Sequence, residues 1–295
     1  MHETLYLHIG WSKTGTSAIQ EQLDKQNEKL YEKGILYSKT MQMNDNAHHH
    51  FALAFNNTIP GYSAKYTPNE VIEIINNEMK KNDCHSTLIS SELSPFYPNS
   101  IIFRDWLMQF KTIKVISTIR KQSELILSLY NQLIKDSEIR YKGSIFQLMM
   151  NNLEHLNYFI NLEKWHNITQ KENFIVLRYT KNIVSDFLSL FDLEASTDTA
   201  KNIVNPSLPL ESLLMIQEHC AHIQDPLLYE EKISDCLDSI KRIHAKSEPT
   251  KILITSSELE SIDEYFQDSN NKLAKYFFNE PYLFPLTSYQ NIKCY

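Results

Sequence analysis

The sequence predicts an α/β protein in which a parallel β-sheet is flanked by helices on both faces and is followed by a helical C-terminal third. Short apolar runs alternate with longer helical patterns up to about residue 190. Beyond about residue 208 the strand patterns weaken and helical patterns remain. We therefore expect a single domain over residues 1–295, with an α/β core at 1–190 and a mainly helical part at 191–295.

The first part of the chain predicts most of the sheet. Its strands are short apolar runs that a glycine or polar residues end; they are residues 4–9, 35–37, 87–90 and 113–119. Its helices have apolar residues three or four apart, which places them on one face; they are residues 16–32, 48–55, 68–82 and 99–110. Gly34 is expected to end the first helix, and Pro68 fits the first turn of the third.

The rest of the chain adds one strand and several helices. A helix is predicted at 122–136, where Leu125, Leu129 and Leu133 lie four residues apart and are expected to face inward. A further strand is predicted at 174–177. The remaining helices are predicted at 181–190, 210–223, 227–245 and 257–278.

Composition excludes several classes of protein. With 29 basic and 36 acidic residues the formal net charge is -7, so a chain-wide basic surface for nucleic acid is not expected. No apolar run approaches the roughly 18 residues of a membrane span, and the run Leu5 to Ile9 is too short for a signal peptide. The 4 cysteines lack CxxC spacing. We expect a cytoplasmic protein with reduced thiols and no metal site.

The sharpest local feature is the segment Gly10-Trp-Ser-Lys-Thr-Gly-Thr-Ser17, which joins a predicted strand to a predicted helix. The chain has only 5 glycines, and two of them bracket Lys13 here. Glycine permits a tight turn, and the backbone N–H groups at a helix N-terminus bind anions. The segment therefore predicts a phosphate loop in a P-loop-type fold. It is not a Walker A sequence, because Lys13 precedes the second glycine.

This loop resembles that of the sulfotransferases that use 3′-phosphoadenosine-5′-phosphosulfate (PAPS). Lys13 to Ser17 match the family's Lys-Thr/Ser-Gly-Thr-Thr/Ser loop position by position, whereas the aromatic residue that follows it in cytosolic members is Ala18 here. The resemblance implies that the loop binds the 5′-phosphosulfate. The implied binding residues are Ser12, Lys13, Thr14, Gly15, Thr16 and Ser17.

Two further motifs support the resemblance. Arg120 ends the strongest predicted strand, at the edge where α/β proteins bind ligands, and Ser128 follows eight residues later. The family binds the 3′-phosphate with an arginine and a serine at this spacing. Tyr179 matches the tyrosine that lies against adenine, although Thr180 replaces the usual acidic residue. The stretches 205–208 and 269–274 look like segments of bacterial carbohydrate sulfotransferases.

The resemblance implies transfer of a sulfuryl group from PAPS to a hydroxyl acceptor, with adenosine 3′,5′-bisphosphate as the product. Lys13 is then expected to stabilise charge on the bridging oxygen. The first candidate for the general base is Glu92, directly after the strand 87–90. The rival candidates are His50 and then His49. Bacterial carbohydrate sulfotransferases often show a histidine between the second strand and the helix that follows it, and an imidazole suits a base near neutral pH.

The acceptor implied by the resemblance is a glycan or another hydroxyl compound, and the protein is expected to be a bacterial enzyme. Two alternatives stay open. One is an ATP-dependent P-loop kinase or phosphotransferase, which should show Gly-Lys-Ser/Thr and an acidic magnesium ligand. The other is a nucleotide-binding module that has the loop but no functional base.

Overall fold

The computed structural model describes residues 1–43, 45–56, 61–93, 101–195, 207–285 and 287–295. The chain forms two compact units, each built from two segments. The first unit comprises Met1–Arg120 and Tyr158–Asn202, and the second comprises Lys121–Asn157 and Ile203–Tyr295. The start of the predicted helix at 99 and 100, and the motif residues 205 and 206, lie outside the described residues.

A parallel sheet of five strands forms the centre of the first unit and confirms the predicted fold class. Its strands are β1 (His2–His8), β2 (Ile35–Leu36), β3 (Ser86–Ser90), β4 (Phe110–Ile119) and β5 (Phe174–Arg178). The spatial order is β2-β3-β1-β4-β5, so β1 lies in the middle. Leu7 of β1 pairs with Ile89 on one side and with Val115 on the other.

Thirteen α-helices are present in the described ranges. They are α1 (Thr16–Lys25), α2 (Asn27–Glu32), α3 (His49–Phe55), α4 (Pro68–Lys81), α5 (Ile101–Leu107), α6 (Gln122–Lys135), α7 (Ile145–Met150), α8 (Leu153–Leu156), α9 (Tyr158–His166), α10 (Ile183–Ser189), α11 (Leu213–Cys220), α12 (Pro226–His244) and α13 (Ser256–Leu273). A π-helical turn, Ala274–Phe278, extends α13. None of the helices in these ranges is both long and apolar enough to cross a lipid bilayer.

Apolar side chains cover both faces of the sheet. On one face, Ile19 of α1 and Phe187 of α10 pack in a buried cluster with Leu88 and Ile116 of the strands. The opposite face carries fully buried residues such as Leu5. An aromatic group from α3, α5 and α9 forms a second core in this unit; its members are Phe51, Phe103, Trp106 and Trp165.

Most predicted helices of the first unit are confirmed, with one division. The predicted helix 16–32 is two helices, because Gln26 leaves the helical region at φ -105° and ψ 22°. Gly34 follows α2 at φ 68°, as the prediction of a helix end requires. Helix α9 was not predicted.

The second unit is mainly helical and departs from the prediction in three places. Its helices α7 and α8 were not predicted. On α6 the fully buried stripe contains Ile126, Tyr130 and Ile134, whereas Leu129 and Leu133 are only half-buried. The expected inward stripe at Leu125, Leu129 and Leu133 was therefore wrong beyond Leu125. This unit also contains a two-stranded antiparallel sheet that was not predicted, formed by β6 (Lys251–Ile254) and β7 (Ile292–Cys294).

Candidate active site

The phosphate loop leaves the carboxyl end of the central strand β1 and enters α1. Lys13 at φ 67° and Gly15 at φ 89° both adopt left-handed backbone conformations, which turn the loop back over the strand edge. A β-carbon on Gly15 would lie 2.8 Å from Cγ2 of Ile183 in α10, so the position has no room for a side chain. Conformation and space together explain the second glycine of the motif.

The buried hydroxyl groups of Thr14 and Thr118 connect the loop to strand β4. The Thr14 hydroxyl donates to the carbonyl of Trp11 at 2.5 Å and lies 2.7 Å from Oγ1 of Thr118 in β4. A β-carbon on Gly10 would lie 2.4 Å from the same Thr118 oxygen. Trp11 is fully buried and packs edge-on against Tyr158 at 4.7 Å. Thr14 therefore braces the loop through its side chain, and what it offers to an anion is its backbone N–H.

The upper side of the loop is accessible to a ligand. Ser12, Lys13 and Gly15 are half-buried and Ser17 is exposed, whereas Thr16 is buried. No side chain among the described residues caps the N-terminus of α1. The first N–H groups of this helix are therefore available for an anion, and the helix dipole favours negative charge there.

Arg120 and Tyr179 follow the neighbouring strands β4 and β5 and meet beside the loop. The Arg120 guanidinium donates from Nη1 to the Lys13 carbonyl at 3.3 Å and lies 4.4 Å above the Tyr179 ring centroid. The Tyr158 hydroxyl donates to the Arg120 carbonyl at 2.6 Å. Tyr179 is 37% exposed, so its ring is open to a ligand. The structure thus brings together Lys13, Gly15, Arg120 and Tyr179.

Ser128 belongs to the second unit, where it lies on α6. Its side chain is half-buried and outside the fully buried stripe of this helix. Its role as a phosphate ligand stays a prediction.

Glu92 and His49 lie together beyond the end of β3. Glu92 Oε1 is 3.9 Å from His49 Nε2, and Asp45 Oδ2 is 3.5 Å from the same nitrogen. His49 Nδ1 lies 2.9 Å from the Ser91 hydroxyl. The second carboxylate oxygen of Glu92 accepts a hydrogen bond from the Gln20 carboxamide at 3.1 Å. The first and third candidates for the base are therefore neighbours.

The charges of this cluster favour a protonated imidazole. Burial lowers the pKa of His49, but the Asp45 and Glu92 carboxylates outweigh it and raise the pKa above its ordinary value. Burial raises the pKa of Asp45, but the hydrogen bond and the charge of His49 lower it further, so the pKa of Asp45 lies below its ordinary value. A protonated His49 attracts both carboxylates in turn.

His48 and His50 face other surroundings. His48 is fully buried, its Nδ1 accepts from the Ser90 N–H at 3.2 Å, and burial lowers its pKa to about 3. His50 is half-buried with its ring edge-on to Tyr66 at 5.6 Å. Burial and the charge of Lys65 lower the pKa of His50. Of the three histidines, the contacts of the described residues join only His49 to Glu92.

A buried row of hydrogen bonds connects the phosphate loop with the end of β3. His8 of β1 is 1% exposed, with Nε2 at 3.4 Å from the Thr118 hydroxyl and Nδ1 at 2.8 Å from the Ser90 hydroxyl. Ser90 also accepts from Nε2 of Gln20 at 3.1 Å. Because burial lowers the pKa of His8 to about 3, the imidazole is neutral. His8 and Gln20 both belong to this row, and no sequence motif indicated either of them.

Two solved structures similar to this chain are sulfotransferases. One, from Alicyclobacillus acidocaldarius, is 15% identical with a TM-score of 0.42 and covers 77% of this chain and 94% of its own. The other, mouse SULT7A1 complexed with PAP, is 11% identical with a TM-score of 0.35 and covers 89% of each chain. No protein-family model and no curated protein matches the chain in sequence.

Proposed function

We propose that the protein is a PAPS-dependent sulfotransferase that transfers a sulfuryl group to a hydroxyl acceptor. The observation that carries the proposal is the loop geometry: Lys13 and Gly15 in left-handed conformations, with Arg120 bonded to the Lys13 carbonyl and stacked on Tyr179. A loop of this kind offers backbone N–H groups and a fixed positive charge to a phosphate group. The accessible Tyr179 ring offers a stacking surface to a purine.

In the proposed donor site, the loop and the ends of neighbouring strands contact different parts of the nucleotide. The N–H groups at the start of α1 and the Lys13 ammonium bind the 5′-phosphosulfate. Arg120 and Ser128 bind the 3′-phosphate, and Tyr179 lies against adenine. When bound, the donor supplies the sulfuryl group. The positive charges of Lys13 and Arg120, beside the N-terminus of α1, suit a ligand with several negative charges. They form a local positive site although the chain's net charge is -7.

Glu92 is the proposed base, and His49 supports it. As the acceptor oxygen forms its bond to sulfur, the bond from sulfur to the phosphate oxygen breaks and the acceptor's proton passes to Glu92. Lys13 stabilises the charge that develops on the leaving oxygen. His49 Nε2 lies 3.9 Å from one of the two carboxylate oxygens.

The proposed acceptor is a sugar hydroxyl. The support comes from the sequence stretches 205–208 and 269–274, which look like segments of bacterial carbohydrate sulfotransferases. A library of glycans and of non-sugar alcohols, incubated with sulfur-labelled PAPS, tests this part separately from the donor. Label on non-sugar hydroxyls alone would overturn it.

Thermal stabilisation by nucleotides tests the donor. We expect adenosine 3′,5′-bisphosphate to raise the melting temperature, because binding to the folded state stabilises it by mass action. ATP with magnesium is expected to raise it less. Stabilisation by ATP alone would favour a P-loop kinase. Stabilisation by the bisphosphate without PAPS turnover on any acceptor would identify a nucleotide-binding module without catalysis.

A further inference from the structure

We propose that Gln20 is a positioning residue that fixes the carboxylate of Glu92 relative to the phosphate loop. The inference rests on the proposed function for the role of Glu92 as base. Gln20 is 2% exposed on α1, the helix that begins at the loop. Its Nε2 donates to Glu92 Oε2 and to the Ser90 hydroxyl oxygen, each at 3.1 Å.

The bonds around Gln20 have a single consistent direction. A carboxylate only accepts hydrogen bonds, so the carboxamide must present its nitrogen, which carries two protons. One proton goes to Glu92 and the other to Ser90. The Ser90 hydroxyl is then left to donate to Nδ1 of His8, which is a neutral imidazole and accepts there.

The same logic extends to the loop. With Nδ1 of His8 as acceptor, Nε2 carries the proton and donates to Thr118. Thr118 in turn donates to Thr14, whose own proton goes to the Trp11 carbonyl. Each donated proton in the row thus has one acceptor, from Glu92 to the loop. A row with every bond satisfied holds its members in one arrangement.

Glu92 is held at both of its oxygens. Oε2 accepts from Gln20 at 3.1 Å, and Oε1 lies 3.9 Å from the His49 imidazole. The closer and better buried of these partners is Gln20, and it sits on the helix that begins at the phosphate loop. Gln20 therefore sets the direction of the carboxylate against the place where the donor binds, which is the geometry a proton transfer requires.

Gln20→Leu removes the carboxamide and keeps a side chain of similar size. We expect kcat of PAPS turnover to fall roughly tenfold, because a misplaced base lowers the rate of transfer. We expect the affinity for adenosine 3′,5′-bisphosphate to change less than about twofold, because the loop contacts of Arg120 and Ile183 stay in place. An unchanged kcat, or an equal fall in bisphosphate affinity, would overturn the inference.

A double-mutant cycle with Glu92→Ala separates positioning from a general effect on structure. If Gln20 acts through Glu92, Gln20→Leu should lower the residual turnover of Glu92→Ala by less than about twofold. A further tenfold loss in that background would contradict the inference. Gln20→Met, which keeps the length of the side chain, is measured in parallel and should give the same results if the leucine variant does not fold.

The same double-mutant cycle can be measured as stability by urea unfolding, which requires no enzymatic activity. A hydrogen bond to a charged carboxylate predicts a coupling between Gln20 and Glu92 of about tenfold in the unfolding equilibrium constant. Gln22→Leu is the matched control, since Gln22 is a buried carboxamide on the same helix and bonds to Gln26. It should show no coupling to Glu92→Ala.

The two cycles distinguish the two proposals. A tenfold unfolding coupling without sulfuryl transfer to any acceptor would overturn the proposed function and leave the contact of Gln20 with Glu92 standing. A coupling below about twofold would overturn the inference, whether or not the protein transfers sulfuryl groups. Coupling in both cycles supports both proposals.

Discussion

At the residue scale, the loop depends on backbone conformations that few residue types adopt. Lys13 and Gly15 are both left-handed, at φ 67° and 89°. A lysine in this region carries a backbone cost of roughly 1–2 kcal/mol that a glycine does not. The surrounding bonds, from Arg120 to the Lys13 carbonyl and from Thr14 to Trp11, hold the loop in this state. Strain of this kind is typical of ligand-binding positions.

Replacing Gly15 with alanine should disrupt the loop. The new β-carbon would lie 2.8 Å from Ile183 at a φ of +89°, so we expect bisphosphate affinity to fall more than about tenfold by calorimetry. Gly61→Ala is the matched control, because Gly61 has φ +81° with open space around the added carbon. Gly61→Ala should carry a similar backbone cost in stability and keep the affinity for the bisphosphate. Equal losses of affinity would contradict a local role for Gly15.

Lys13→Ala separates binding from transition-state stabilisation. If the ammonium acts on the leaving oxygen, kcat should fall about 100-fold or more, as when a single charge-stabilising donor is removed. The affinity for the bisphosphate product, measured by titration calorimetry, should fall less than about tenfold. Equal losses in rate and affinity would assign Lys13 to uniform binding instead.

At the element scale, the site is made where parallel strands end. The loop follows β1, Arg120 follows β4 and Tyr179 follows β5, so three neighbouring strand ends supply the proposed nucleotide contacts. Glu92 follows β3, the neighbour of β1 on its other side. Parallel strands bring their carboxyl ends to one edge, which makes that edge the place for ligands. The proposed donor contacts and the proposed base thus follow β1 and its neighbours on both sides.

Arg120→Lys tests the assignment of the 3′-phosphate to the end of β4. Lysine keeps the charge but loses the planar group that stacks 4.4 Å above Tyr179 and donates to the loop. We expect affinity for adenosine 3′,5′-bisphosphate to fall about tenfold. Affinity for adenosine 5′-phosphosulfate, which has no 3′-phosphate, should fall less than about twofold. Equal losses for the two nucleotides would place Arg120 elsewhere in the site.

His8 joins three strands and makes stability depend on pH. Burial lowers its pKa to about 3, whereas the ordinary value is 6.5, so between these values the unfolded chain binds more protons. The contribution of His8 is therefore complete above about pH 6.5 and is lost as the pH falls. From about pH 7.5 to pH 5, the wild-type free energy of unfolding should fall about 2 kcal/mol more than that of His8→Asn.

Urea unfolding across this pH range measures the effect. Phe187→Leu is the control, because the Phe187 ring packs on His8 at 4.5 Å and carries no titratable group. It should lower stability at each pH and keep the wild-type pH dependence. A wild-type pH dependence in His8→Asn would show that this histidine is not held neutral.

The sequence predicts this sheet well because its buried strands are strong apolar runs. It does not predict the division of α1 from α2, since Gln26 is an ordinary helix former and neither glycine nor proline marks the break. The short β6 was missed because its residues are mostly exposed and lack an alternating pattern. In the site, motifs indicate the loop, whereas Gln20 and His8 depend on contacts between distant segments and leave no local pattern.

At the scale of the whole molecule, the chain passes between the two units three times, after residues 120, 157 and 202. Neither unit is therefore a continuous piece of chain. We expect the predicted single domain to unfold in one transition, with a calorimetric enthalpy close to the van't Hoff enthalpy. A ratio well above one would indicate that the two units unfold separately.

The position of β1 has a consequence for biosynthesis. Of the five strands in this sheet, β1 is synthesised first, yet it lies between β3 and β4, which end at Ser90 and Ile119. At a synthesis rate of roughly 5–20 residues per second, both edges of β1 stay unpaired for on the order of ten seconds. The pairing of β1 therefore joins segments that are distant in the sequence, and such pairing is intrinsically slow. The nascent chain is most exposed to aggregation through the same strand that later carries the phosphate loop.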